Sequence, residues 1–255
     1  MEKFEQEKER EIYYAKIDFF TNVAHEIRTP LTLINGPLEN ILLKKTVDPE
    51  IREDLNIMKQ NTERLLSLTN QLLDFRKTES QGFRLNFAEC NVTEVLKETY
   101  NRFTSLARQR ELDFVLNVAE QDFYAHVNKE AFTKIVSNLL NNAVKYAETY
   151  VHVFLEMNGI GEKRMFYIRT VNDGVIIPNE MKEEIFKPFV RFNEKEDGKV
   201  TTGTGIGLAL SRSLAELHQG SLMMLEGEEA NVFCLSLPVE QDLSLIHISE
   251  PTRPL

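Results

Sequence analysis

The chain has 255 residues, of which 42% are hydrophobic and 27% charged, a length and balance that suit two folded domains and argue against disorder. Its formal net charge of -10 argues against a nucleic-acid partner. No apolar run approaches the roughly 18 residues that a membrane-spanning helix requires, and the two cysteines, Cys90 and Cys234, show neither metal-ligand spacing nor a disulfide pattern.

The first third of the chain is predicted to form a helical hairpin. From residue 4 to about 45, apolar residues recur in steps of three and four, as on one face of a helix: Phe20, Val23, Ile27, Leu31, Ile34, Leu38 and Ile41. Asp48 and Pro49 then suit an N-cap and first helical turn, and a second striped helix runs to about Glu79. One hairpin cannot bury both stripes. We therefore predict that two copies pair as a four-helix bundle, although the rest of the chain could cover the hairpin instead.

A second domain begins after Gln81 and Gly82, where strand-like and helix-like segments mix. Its helices are expected in VTEVLKETYNRFTSLARQR after the N-cap Asn91, in KEAFTKIVSNLLNNAVKYA, in NEMKEEIF, and in TGIGLALSRSLAELHQG, which ends at Gly220 as C-cap. Seven strand-like segments surround them, which predicts an α+β fold with a two-layer sandwich. The predicted domains are residues 1–81 and 82–241. Residues 244–255 resemble a non-native tail and are left out of the fold prediction.

His25 lies in the middle of the first helix, within FFTNVAHEIRTPL, residues 19–31. Imidazole is a good nucleophile that is about half neutral near pH 7. Glu26 could hydrogen-bond one ring nitrogen and leave the other free to attack. Thr29 follows one turn later on the same face, and Pro30 removes a backbone donor and should bend the helix. An isolated helical histidine is usually an ordinary surface or core residue, so these neighbours single out His25.

Asn138 and Asn142 stand four residues apart in NLLNNAVKYA, residues 138–147, and so share one face of a predicted helix. An amide oxygen is a hard, neutral ligand that suits Mg²⁺ carrying a triphosphate. Lys145 adds positive charge for phosphates, and Tyr146 could pack against a nucleotide. An amphipathic helix with polar residues in a groove would show the same pattern.

Three further segments suit a nucleotide site. RTVNDGVIIP, residues 169–178, contains an NDG that by itself also suits an ordinary turn. GTGIGL, residues 203–208, opens a helix with glycines that let backbone amides approach phosphate, and no strand runs directly into it as in a dinucleotide fingerprint. The polar residues 193–202 before it suit a mobile lid. In EIFKPFVRF, Phe186 and Phe189 suit packing beneath that lid or a plain core role.

AHEIRTPL, residues 24–31, resembles the phosphoacceptor box of sensor histidine kinases, and the later segments resemble that family's asparagine, adenine-binding, phenylalanine and glycine boxes in family order. The resemblance implies a sandwich of the histidine kinase and Hsp90-like type. It also implies that His25 is phosphorylated, that Glu26 assists as a base, and that Thr29 positions water when the phosphorylated partner is dephosphorylated.

The same resemblance implies that Asn138 ligates Mg²⁺ and that ATP is bound by a larger group of residues. That group is Asn138, Asn142, Lys145, Tyr146, Asn172, Asp173, Gly174, Gly203, Gly205, Gly207 and Leu208. The family's adenine-binding segment reads Asp-x-Gly-x-Gly-Ile-Pro, whereas here Asn172 replaces the aspartate and Ile176 the second glycine. Asp173 lies one residue after the position of the family's aspartate, so on a strand it should point to the opposite face from Asn172. Either Asn172 or Asp173 could therefore contact adenine.

The expected function is that of a protein histidine kinase. A homodimer would move phosphoryl groups from ATP to His25 and on to the receiver aspartate of a response regulator, with phosphatase activity also open. We expect the cytoplasmic portion of a membrane-bound sensor, attached only through segments outside this chain. The departures at Asn172 and Ile176 leave an alternative, a dimeric signalling scaffold with a degenerate nucleotide site.

Overall fold

The computed structural model describes residues 2–44, 48–80, 84–158, 164–192, 205–227 and 229–241. The predicted boundary at Gln81 and Gly82, the lid, Gly203 and the tail lie outside these ranges. The chain divides into two compact units, Met1–Phe83 and Arg84–Leu255. Within the described ranges, no helix combines the length and apolarity that crossing a bilayer requires.

The first unit is an antiparallel pair of helices, α1 (Glu2–Leu42) and α2 (Pro49–Glu79). At the turn, the Arg52 guanidinium donates to the carbonyl oxygens of Leu42 and Lys44, both at 2.8 Å, and so satisfies acceptors that the end of α1 leaves without helical partners. α1 contains Pro30 and Pro37. Each proline removes one backbone hydrogen bond of the helix. The predicted hairpin is confirmed.

The predicted apolar stripe of α1 divides into a buried and an exposed part. Among the described side chains of the two helices, the buried ones are Ala24, Leu31, Leu38, Thr62, Thr69, Leu72, Leu73 and Phe75. Ile27, Ile34 and Ile41, which belong to the same predicted stripe, remain 40%, 44% and 38% exposed. A single partner helix covers only one side of so wide a stripe, which is why these three isoleucines stay uncovered.

The second unit is a two-layer α/β sandwich, which confirms the predicted fold class. Its elements are β1 (Ala88–Asn91), α3 (Val92–Gln109), β2 (Asp113–Asn117), β3 (Tyr124–Val127), α4 (Lys129–Tyr146), β4 (Tyr150–Asn158), β5 (Met165–Asn172), α5 (Gly207–Leu217), β6 (Ser221–Leu225) and β7 (Asn231–Pro238). Five strands form one sheet in the order β2-β4-β5-β7-β6, with β2 and β4 parallel and the other pairs antiparallel. β1 and β3 form a separate antiparallel pair.

Alternation along the strands places the core between the large sheet and the layer of α3, α4 and α5. In β5, every second residue is buried, from Phe166 to Asn172. The start of α3 follows the predicted cap, since the side chain of Asn91 accepts from the N–H of Glu94 at 3.0 Å. The structure adds a cap to α4, where the side chain of Asn128 accepts from the N–H of Ala131 at 2.9 Å. Asn172, the candidate polar residue at the end of β5, is thereby fixed on the helix-facing side of the sheet.

Two local predictions need correction. NEMKEEIF forms two separate 3-10 turns, Asn179–Met181 and Glu184–Phe186, because it is too short and polar to sustain an α-helix. The left-handed residue after α5 is Gln219, at φ 58, rather than Gly220. Gly220 is required by a close approach instead, since a β-carbon there would lie 2.1 Å from the carbonyl oxygen of Ser236.

Candidate functional site

His25, Glu26 and Thr29 are all exposed on α1. Ala24 and Leu31, seven residues apart on one face of α1, are buried at 2% and 8% exposure. His25, Glu26 and Thr29 lie away from that buried face, toward solvent. The imidazole of His25 is therefore open to a reactant that approaches the hairpin.

Arg28 anchors this stretch of α1 to the second helix. Its Nη2 donates to Oδ1 of Asn70 at 2.7 Å, a contact between residues 42 positions apart in the chain. One turn later, the hydroxyl of Thr32 donates back to the carbonyl oxygen of Arg28 at 2.9 Å. The backbone just after His25 is thus held against α2 while the imidazole itself stays accessible.

In the second unit, Asn138 of α4 lies against the first turns of α5. Its Nδ2 donates to Oγ of Ser211 at 2.9 Å. A β-carbon on Gly207 would lie 2.4 Å from Oδ1 of Asn138, so only glycine lets the start of α5 come this close. Asn138 and Gly207, two of the predicted site residues, are therefore neighbours in space.

The first turn of α5 has no side-chain cap. A helix start leaves backbone N–H groups without helical partners, and these favour anions. Gly205 precedes this turn at φ +69, and its carbonyl accepts from the N–H of Phe189 at 2.9 Å. The half-buried side chain of Leu208 lies within the turn. The end of the glycine segment is thus tied to the predicted phenylalanine segment, and its helix start suits phosphate.

Phe186 is buried at 4% exposure and packs edge-to-face on Phe233 of β7, with ring centroids 6.3 Å apart. The guanidinium of Arg212 lies 3.7 Å from the centroid of the Phe186 ring and also pairs with Glu183 at 2.7 Å. Phe189 is half-buried and adopts a positive φ of 67. Phe186 therefore belongs to the core of the second unit, whether or not a lid packs on it.

A second polar group lies where β5 ends beside the C-terminal end of α4. Asn172 is 3% exposed, and its Oδ1 accepts from the N–H of Gly174 at 3.2 Å. A β-carbon on Gly174 would lie 2.0 Å from the carbonyl oxygen of Tyr146, so glycine allows the two backbones to touch. The side chain of Asn172 therefore stays at a buried position next to the end of α4.

Asp173 points elsewhere, as the alternation of a strand predicts. Its carboxylate accepts from the backbone N–H groups of Glu148, Thr149 and Tyr150 at 2.9–3.1 Å and from the hydroxyl of Thr149. Partial burial acts to raise the pKa of Asp173, but these hydrogen bonds outweigh it and lower that pKa to about 2. Asp173 is thereby engaged in holding the connection between α4 and β4.

Both groups lie along one face of α4. Asn138, Asn142 and Tyr146 follow each other in steps of four, and the first and last are separated by about 12 Å along the helix axis. Asn142 is half-buried, and Lys145 donates to the hydroxyl of Tyr146 at 2.8 Å with its Nζ 4.5 Å from the ring centroid. The same helix, α4, thus lies beside the start of α5 at Asn138 and near the buried amide of Asn172 at its C-terminal end.

Sequence reasoning missed two residues that position this site. Ser211 is the partner of Asn138, and its place one turn after Gly207 on α5 could have suggested it. Asn231 stands opposite Asn172 across β5 and β7, donates to the carbonyls of Gly174 and Val175 at 3.2 and 3.0 Å, and accepts from the N–H of Ile177 at 3.0 Å. Only the strand register reveals Asn231, because nothing in the local sequence marks it.

The side-chain amide oxygen of Asn138 suits a magnesium ion that is bound together with the phosphates of a nucleotide. Among the described residues, no cluster of three or more His, Cys, Asp or Glu side chains could hold a metal by itself. Mg²⁺ is commonly bound through one or two protein oxygens together with substrate phosphates and water. The amide of Asn138 beside the start of α5 fits that chemistry.

Family models match both units. The model described as "His Kinase A (phospho-acceptor) domain" matches residues 15–81, and "Histidine kinase-, DNA gyrase B-, and HSP90-like ATPase" matches residues 127–241. Among curated relatives, histidine kinase P4 of Formosa agariphila is 32% identical over 242 residues, and sensor histidine kinase WalK of Bacillus subtilis 28% over 229 residues. These alignments cover 94% and 88% of this chain but only 18% and 37% of the relatives.

Solved structures agree with the fold. Full-length ShkA in complex with AMPPNP matches with a TM-score of 0.70 and 22% identity over 88% of this chain and 46% of that one. Histidine kinase ThkA in complex with the response regulator protein TrrA matches with a TM-score of 0.58 and 25% identity over 93% of this chain and 66% of that one. With its phosphoacceptor-type hairpin followed by an ATPase-type sandwich, this chain belongs to the sensor histidine kinases.

Proposed function

We propose that this chain is a protein histidine kinase that transfers the γ-phosphoryl group of ATP to its own His25. The observation that carries the proposal is the exposure of His25 on a chain that also contains an ATPase-type unit in which the start of α5 lies against Asn138. Phosphoryl transfer requires little covalent chemistry from a protein beyond positioning and charge neutralisation. An accessible imidazole and an anion-binding helix start supply those two needs.

In the proposed step, a ring nitrogen of His25 attacks the γ-phosphorus, the bond to the β-phosphate oxygen breaks, and ADP leaves. Glu26 accepts the imidazole proton as the phosphorus–nitrogen bond forms. Both side chains are exposed neighbours on α1, which leaves room for the nucleotide.

For the nucleotide, we propose that the phosphates lie at the first turn of α5, near Gly205, Gly207 and Leu208, with Asn142 and Lys145 on α4. Asn138 would hold Mg²⁺, which neutralises phosphate charge when bound. The base would lie beside Asn172, Gly174 and Tyr146. We assign the adenine contact to Asn172 rather than Asp173, because the carboxylate of Asp173 already accepts four hydrogen-bond donors from residues 148–150.

We also propose a homodimer paired through the hairpin. Ile27, Ile34 and Ile41 on α1 and Ile51, Met58 and Leu65 on α2 are each 38–56% exposed and recur every seven residues. In the proposed dimer, these two rows on the antiparallel helices together form one apolar strip. A second hairpin would cover the strip and complete a four-helix bundle.

Phosphohistidine is labile, so the proposed onward step is transfer to an aspartate of a response-regulator receiver domain docked on the hairpin near His25. The exposed hydroxyl of Thr29, one turn away, is placed to orient water for the reverse dephosphorylation of that partner. The use of ATP places this reaction in the cytoplasm, and any membrane attachment would be made by segments outside this chain.

The proposal is tested by incubating the full chain with γ-labelled ATP. The parent should acquire label that is acid-labile and base-stable, and His25→Gln should lose it while its affinity for ATP stays within about twofold of the parent. His126→Gln is the matched control, because the side chain of His126 is also partly exposed but lies on β3, paired with Glu240. Label that persists in the His25 variant at the parent's rate would overturn the assignment.

A dimeric scaffold with a degenerate nucleotide site is the second candidate function, favoured by the replacements at Asn172 and Ile176. Titration with a fluorescent ATP analogue separates the two. Affinity far weaker than cellular ATP concentrations would support the scaffold, whereas saturation well below them would support the kinase.

A further inference from the structure

Thr170 is a buried residue whose hydroxyl has no hydrogen-bond partner among the described residues. It lies on β5, is 1% exposed, and its Oγ1 is inaccessible to solvent. Its cross-strand neighbours are Val153 and Phe233, whose side chains offer neither a donor nor an acceptor. Valine has nearly the same shape and would fill this position without burying an unpaired polar group. Folding alone therefore gives no reason for a hydroxyl here.

The position of Thr170 beside the proposed nucleotide site offers a reason for a hydroxyl at this buried position. Alternation along β5 places Thr170 and Asn172 on the same helix-facing side, about 7 Å apart along the strand. Asn172 is the buried amide at the proposed base end of the site, and it is oriented by the N–H of Gly174 at 3.2 Å. The unpaired hydroxyl thus lies on the same side of the sheet as the Asn172 amide, two residues before it on β5.

We propose that Thr170 is a base-recognition residue: its hydroxyl forms a hydrogen bond with one buried water that in turn bonds to the purine of the bound nucleotide, next to Asn172. The inference rests on the proposed nucleotide site. A hydroxyl both donates and accepts, as does an amide group, so the pair can satisfy a purine edge without a carboxylate. The hydroxyl acts at the base end and makes no contact with the phosphates.

The test compares variants of the full chain by calorimetric titration with a non-hydrolysable ATP analogue and with inorganic triphosphate. Thr170→Val should raise the Kd for the analogue about three- to tenfold, the size of one lost hydrogen bond. It should leave the Kd for triphosphate and the urea unfolding midpoint unchanged, or raise the midpoint. Thr170→Ser keeps the hydroxyl and should bind the analogue within about twofold of the parent.

Thr99→Val is the matched control. Thr99 is also fully buried in the second unit, but its hydroxyl donates to the carbonyl oxygen of Val95 at 2.7 Å. Its removal should leave nucleotide affinity unchanged.

Three results would overturn the inference: equal analogue affinity in Thr170→Val and the parent, an equal loss of triphosphate affinity, or a lowered unfolding midpoint that accounts for the loss. If the parent binds ATP normally and Thr170→Val does too, only the role of Thr170 fails. If the parent itself binds no ATP, the proposed function fails and this inference with it.

Discussion

Gly207 and Asn138 lie so close that a β-carbon on Gly207 would sit 2.4 Å from Oδ1 of Asn138. The nearest atoms belong to the end of a side chain, so in Gly207→Ala the asparagine should swing aside while the fold survives. That movement would break the hydrogen bond of Asn138 to Ser211. We expect the Kd for magnesium-bound ATP to rise about tenfold, equivalent to one hydrogen bond. Calorimetric titration measures this change.

Gly36→Ala provides the control for that substitution. A β-carbon on Gly36 would meet no atom within 4 Å, and Gly36 lies on α1 in the other unit. Its ATP affinity should equal that of the parent. If Gly207→Ala bound magnesium-bound ATP as tightly as the parent, the observed position of Asn138 would not be required for ATP binding.

Asp173 should stabilise the second unit in a pH-dependent way. Its pKa is lowered to about 2 from an ordinary value of 3.8, so between these values the unfolded chain binds more protons and stability rises with pH. We expect Asp173→Ala to lower the free energy of unfolding by about 2 kcal/mol at pH 7, the scale of hydrogen bonds to a charged group.

Urea unfolding at several pH values checks this prediction. The difference between the parent and Asp173→Ala should shrink as pH falls from about 4 to about 2, because the carboxyl group becomes protonated. Asp113→Ala, at a carboxylate exposed on β2, should cost much less. A difference for Asp173→Ala that stayed constant down to pH 2 would contradict the role assigned to its charge.

His218 should make the second unit less stable in mild acid. It is fully buried, its Nε2 accepts from the N–H of Asn128 at 3.1 Å, and its Nδ1 lies 2.7 Å from the carbonyl oxygen of Leu214, to which it donates. Burial lowers its pKa below the ordinary value of 6.5 and outweighs the hydrogen bonds that act to raise it. The unfolded chain therefore takes up the proton first, and stability falls as pH drops below about 6.5.

The slope contributed by this one group cannot exceed about 1.4 kcal/mol per pH unit. His218→Gln should flatten the decline between pH 6.5 and 5 in urea unfolding, whereas His126→Gln, at a partly exposed histidine, should keep it. Identical slopes in the parent and the His218 variant would contradict the prediction.

The exposed apolar strip of the hairpin should hold the dimer together. Ile34→Glu places a charge on the strip, where Ile34 is 44% exposed and would be covered by a second copy. Sedimentation equilibrium should show the parent as a dimer and this variant shifted to monomer by at least tenfold in Kd, since a desolvated charge costs at least about 1.4 kcal/mol.

Leu33→Glu is the control, because Leu33 is more exposed, at 71%, but lies beside the strip rather than on it. It should leave the dimer intact. Equal dissociation by both variants, or by neither, would argue against pairing through the strip.

The local patterns of the sequence were sufficient for much of the fold. The apolar periodicity, Asp48 with Pro49, and the cap Asn91 act over a few neighbouring residues, and they predicted α1, α2, α3 and α4 close to their observed bounds. The helix predicted for NEMKEEIF was wrong because a short polar pattern suits several kinds of turn. Gly220 was assigned to a local cap because the carbonyl of Ser236 that approaches it comes from another strand.

The sequence by itself determined the family, the order of the two units and the identity of His25 as the candidate phosphoacceptor, because these follow from residues adjacent along the chain. The tertiary structure alone engaged Asp173 with the backbone of residues 148–150, brought Asn138 against Gly207 and Ser211, and set Asn231 opposite Asn172. Those relationships join segments 25 to 73 positions apart. They depend on strand register and on helix packing against the sheet, and neither is encoded in any short stretch of sequence.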